Sequence, residues 1–81
     1  MRLTAHMSGR IYWTHNAKTE NKDEAVTRAI TKNYGKGRRF VRDHEASTET
    51  RWIGQVFKNT GQSGGSPVAT SESGKIAIDF D

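Results

Sequence analysis

The chain has 81 residues, 32% of them hydrophobic, and a mean hydropathy of -0.86, so one small domain over residues 1–81 is expected, its core built from few large side chains. Thirteen Lys and Arg against nine Asp and Glu give a formal charge of +4 and a pI near 9.8, a balance that bears on partners rather than on fold. The absence of cysteine excludes disulfides, thiolate metal sites and a thiol nucleophile. No apolar run approaches the roughly 18 residues of a membrane span and MRLTAHMSG lacks a signal-peptide core, so a cytoplasmic protein without membrane contact is expected.

In chain order, Met1–Ser8 alternates Leu3, Ala5 and Met7, which suits either a tail or an edge strand. Arg10–His15 is rich in β-branched and aromatic residues, and strict alternation would put Ile11, Trp13 and His15 on one face of a strand. A helix follows over Lys22–Tyr34. Asn21 is its N-cap, and Glu24, three residues on, is placed to reach back to the Asn21 N–H. Ala25, Val26, Ala29, Ile30, Asn33 and Tyr34 recur at spacings of three and four and form the face that must be covered. Gly35 is expected to end the helix in the left-handed conformation.

Beyond the helix, Arg38–Asp43 reads as a strand in which either Phe40 or Val41 must face outward. Thr50–Lys58 is the longest β signal, with Trp52 and Val56 on one face, Ile53 and Phe57 on the other, and Gly54 where a bulge or a close neighbour would sit. Asn59–Pro67 holds glycines, serines and a proline but no large apolar residue, so residues 59–73 are expected to be a mobile Gly/Ser-rich loop with at most a strand fragment at Val68–Thr70. Lys75–Phe80 shows the cleanest alternation, Ile76, Ile78 and Phe80 inward against Lys75, Ala77 and Asp79. The sum is an α+β fold, one amphipathic helix on one face of a three- to four-stranded, mostly antiparallel sheet in the order β-α-β-β-β.

The functional candidates are mainly cationic. Arg28, Lys32 and Lys36 follow at four-residue spacing along the polar side of the helix and its exit, and Arg38, Arg39 and Arg42 continue without an intervening acid. On one surface they would neutralise phosphates, with Tyr12 able to stack on a base. The same cations near a helix C-terminus also complement its dipole, and Glu24 precedes Arg28 by four residues, so a purely structural role competes. The tryptophans are more naturally core than stacking platform. GQSGGS lacks the Lys-Ser/Thr ending of a phosphate loop. His6, His15 and His44 have no metal-ligand spacing, so neither a metal nor a cofactor is expected; His15, His44 and Arg42 would serve a small ribonuclease only if the fold gathered them.

Two functions therefore stand open. The first is a non-enzymatic binding module that contacts nucleic acid, DNA or RNA, through Arg28, Lys32, Lys36, Arg38, Arg39, Arg42 and Tyr12. The alternative is a small inhibitor or adaptor, an accessory factor of the kind mobile elements carry, that docks on a larger protein through a strand edge or the 59–73 loop, its acidic end (Glu72, Asp79, Asp81) meeting a basic partner. An uncovered sheet edge would also permit a homodimer.

Overall fold

A computed structural model describes residues 1–63, 66–71 and 74–81, with backbone alone for 59–63 and 66–71. Six strands and one helix follow in the order β1 (Arg2–Met7), β2 (Arg10–Asn16), α1 (Lys22–Tyr34), β3 (Arg38–Arg42), β4 (Arg51–Ser63), β5 (Ser66–Ser71) and β6 (Ile76–Phe80). Every pairing is antiparallel. The sheet order is β2-β1-β6-β4-β3, and β5 pairs with the far half of β4. The helix lies on one face, so the α+β two-layer architecture is as expected, with two more strands, β1 and β5, than the β-α-β-β-β order contains. Among the described residues no helix is long and apolar enough to cross a membrane.

The helix forms where its sequence signals place it. Asn21 Oδ1 accepts from the Glu24 N–H at 3.0 Å, but the reciprocal half of the capping box is absent: the Asn21 N–H donates to Thr19 Oγ1 at 3.1 Å, and the Glu24 carboxylate turns to Arg28 instead, 2.6 Å away. Gly35 closes the last turn by donating its N–H to Thr31 O at 2.9 Å. Its φ of 101° and ψ of 179° lie outside the left-handed helical well, in an extended region open essentially to glycine alone. Ala25, Val26, Ala29 and Ile30 are buried. Asn33 leaves that stripe, remaining exposed with its amide bonded back to Ala29 O.

Against the helix the sheet presents Leu3, Ala5, Trp52, Val56, Ile76 and Ile78, all buried. Met1–Ser8 is neither tail nor edge: β1 runs between β2 and β6, with Leu3 and Ala5 at 0% exposure. The alternation expected for β2 fails at one point. Ala5 pairs with Trp13 and His6 with Ile11, so Tyr12 is an extra residue, a bulge. Trp13 consequently packs toward the core, its indole N–H donating to the Tyr34 hydroxyl at 3.1 Å, while Ile11 is thrown to the opposite face and is 64% exposed.

In β3, Phe40 packs against the core and Val41 faces out. Gly54 marks a close approach rather than a bulge: a Cβ there would lie 2.2 Å from Val41 O and 2.8 Å from the Phe40 ring. Where residues 59–73 are expected to be a loop, the described backbone is instead paired strand: β4 continues to Ser63 and pairs with β5 from Phe57↔Ser71 to Ser63↔Ser66. Gly64 and Gly65 of the GQSGGS motif, and Glu72 and Ser73, lie outside the described residues.

Candidate functional site

The fold disperses the expected basic face. Arg28 is paired with Glu24 within its own helix. Lys32 and Arg28 flank His15 of β2, and burial, then these two cations, hold the His15 imidazole below its ordinary pKa. Tyr12 lies in the β2 bulge, so these groups belong to the β2 side of the molecule. Arg38, Arg39 and Arg42 lie on β3, the opposite edge of the sheet. Alternation divides them again. Arg38 and Arg42 share the helix-covered face with Phe40, whereas Arg39 shares the open face with Val41. Lys36 sits in the turn before β3, its carbonyl accepting from Arg38 Nη1 at 2.8 Å.

The proposed ribonuclease constellation fails for the same reason. His15 is on one edge strand and His44 follows the other. His6 is engaged elsewhere, 3.0 Å from Asp79, whose carboxylate also takes the Arg51 guanidinium in two hydrogen bonds of 2.6 and 3.0 Å. Arg51, foremost, therefore holds the Asp79 carboxyl below its usual range. Asp79 is thus satisfied internally rather than offered to a basic partner. No group of metal-ligating side chains occurs among the described residues.

The His15 environment gives a pH dependence with a definite sign. A histidine whose pKa is lowered by folding takes up a proton more readily when unfolded, so stability is lost as pH falls below the ordinary histidine value of about 6.5. Asp79 acts in the same direction only at much lower pH, below the ordinary carboxylate range. The thermal midpoint should therefore decline between pH 7 and pH 5, and the decline should be smaller in His15→Gln. An equal decline in that variant would show that His15 is not its source.

What the fold does assemble is a groove between α1 and β3, of about 250 Å³. Asp23, Val26, Thr27 and Ile30 form its helix wall, Arg38, Arg39, Phe40 and Arg42 its strand wall, and His44 and Trp52 its end. A second depression of about 440 Å³ continues past Arg42, His44 and Trp52 to Lys22, Ser47 and Thr48. The Arg42 guanidinium is stacked over the Trp52 ring, 3.9 Å from its centroid, and the Trp52 ring meets Phe80 edge-on at 5.0 Å. Stacking fixes the guanidinium plane while leaving its N–H fork able to donate. The sequence places Trp52 beside Arg51; it is the fold that exchanges Arg51 for Arg42.

Along this groove β3 is an edge strand. Asp43 N donates to Ile53 O at 2.8 Å. Bonded and non-bonded pairs alternate in an antiparallel ladder, so Val41 and Arg39 bond to β4 while the N–H and C=O groups of Arg38, Phe40 and Arg42 point away from the sheet. No described strand occupies that side. Comparison of the chain with protein-family models, with curated proteins and with solved structures gives no match in any of the three.

Proposed function

We propose that the protein is a small non-enzymatic binding module that acts by docking on a larger protein, and that it docks through β3 and the groove beside it. The observation that carries this reading is the outward-facing backbone of Phe40 and Arg42 lying next to a groove with an apolar floor. An added strand gains affinity from main-chain hydrogen bonds and specificity from the groove into which alternate side chains fall. A phosphate backbone cannot satisfy such alternating donors and acceptors. The cations that would have served it instead lie on two edges and two faces of the sheet.

Affinity capture from nuclease-treated lysate, with the native chain and with Arg42→Glu side by side, tests the proposal. Proteins retained by the native chain should be lost from the variant, and electrophoretic mobility shift with DNA or RNA should be absent at moderate salt. Partners that vanish on nuclease treatment, together with a salt-sensitive shift, would transfer the function to nucleic-acid binding.

A further inference from the structure

We infer that the segment received by β3 is an uncharged, extended stretch of the partner protein with the pattern Asn or Gln, any residue, apolar residue, running antiparallel to β3. The inference rests on the docking reading above and adds the chemistry and direction of the occupant.

A strand laid against β3 runs about 4.7 to 4.9 Å away, and its residues directly opposite Phe40 and Arg42 project to the same face as those two side chains. That face is the groove. Opposite Phe40 the incoming side chain meets Val26 and Ile30, so an apolar residue fits.

Opposite Arg42 the groove changes character. The helix and β3 are joined by the short turn at 35–37, so the first turn of the helix lies beside the end of the strand, and Lys22 lines the adjoining depression together with Arg42. Asp23, on the helix wall, therefore belongs to the same end of the groove as Arg42 on the strand wall. Among the described residues the Asp23 carboxylate and the Arg42 guanidinium form no ion pair with each other. Arg42 lays its guanidinium face on Trp52 and keeps its N–H fork for the groove. An acceptor and a donor thus stand on opposite walls, and a carboxamide answers both, its oxygen accepting from Arg42 and its NH₂ donating to Asp23. A carboxylate in that place has no proton for Asp23 and is repelled by it, and an ammonium is repelled by Arg42.

Direction follows from the ladder. Every pairing in this sheet is antiparallel, and in an antiparallel pair Phe40 exchanges both of its outward backbone bonds with one residue of the added strand. The residue opposite Arg42 then comes two positions before the one opposite Phe40, which gives the order carboxamide, any, apolar. A second copy of β3 is the wrong occupant. Paired antiparallel about Phe40, it would set Arg38 opposite Arg42, a cation where a neutral donor and acceptor are needed.

The test is a titration of the ¹⁵N-labelled protein with the blocked heptapeptide Thr-Gln-Thr-Val-Thr-Thr-Thr. Its controls carry Glu or Lys in place of Gln, Ser in place of Val, an N-methyl group on the Val nitrogen, or the whole sequence reversed. The first peptide should shift the amides of Phe40 and Arg42 and those between Asp23 and Ile30. Each control should bind about tenfold more weakly or worse, the loss expected for one hydrogen bond to a charged group or one apolar side chain. Asp23→Ala should abolish the preference for Gln over Glu, which a merely structural role for Asp23 would leave intact. Equal binding of the Gln, Glu and Lys peptides at β3, or of the reversed peptide, would overturn the inference and leave the docking edge standing. If no peptide binds, or if N-methylation changes nothing, both readings fall.

Discussion

Gly54→Ala should lose at least about 2 kcal/mol of stability, in the upper half of the usual range for overpacking of a core site or above it. The methyl group would arrive 2.2 Å from Val41 O and 3.0 Å from Arg42 Cα, both backbone, as well as 2.8 Å from the Phe40 ring. Backbone cannot swing aside as a flexible side chain does, so β3 must move off β4 or the strand must shear. A chain of this length has a total stability of only about 4 to 12 kcal/mol, and a large share of it would go. Urea unfolding should show the midpoint falling with little change in slope. The groove should suffer too, because Phe40 and Arg42 are carried on the displaced strand. A midpoint within a few tenths molar of the native value would mean that the close approach of β3 is not needed.

Ile78→Ala should cost about 2 to 5 kcal/mol, against about 0.5 to 1.5 for Ile78→Val. Ile78 has no solvent exposure and sits in the ladder between Ala5 and Trp52. Its neighbours are held by strands on both sides, so a cavity left there has little freedom to collapse. The paired substitutions separate burial from a general intolerance of change: similar losses in both would indicate that something other than lost methyl groups is being measured.

The parts of this fold that the sequence displays are those in which patterning and burial coincide. Ile76, Ile78 and Phe80 alternate without interruption, and the Asn21 cap with Ala25, Val26, Ala29 and Ile30 marks the helix to the residue. Met1–Ser8 is ambiguous by itself because Leu3 and Ala5 gain their burial from β6, more than 70 residues away in the pairing Leu3↔Phe80. The far half of β4 is illegible for a different reason. Asn59, Gly61, Gln62 and Ser63 carry no period, and there the pairing with β5 alone defines the strand. A single bulged residue, Tyr12, defeats the facing of Ile11, since one extra residue reverses every position beyond it.

For the site, the sequence exposes the cations but not their grouping. Arg38, Arg39 and Arg42 are consecutive enough to suggest one surface, yet the pleat turns Arg39 away from the other two. The groove brings Asp23 and Thr27 of the helix to His44 and Trp52, and no local pattern links the helix pair to those two. The one legible hint is Gly54, whose missing side chain admits the Phe40 ring and with it the strand that forms the groove wall.

The place of β6 between β1 and β4 governs how the molecule is assembled. Two halves, the β1–β2 ribbon and the β3–β4 ribbon with its helix, are synthesised before the segment that joins them. Until Ile76–Phe80 arrives, β1 and β4 each keep a sticky margin that another nascent chain can occupy. Long-range closure of this kind is slow compared with hairpin formation, so refolding should become less efficient as protein concentration rises, even where the finished molecule stays monomeric.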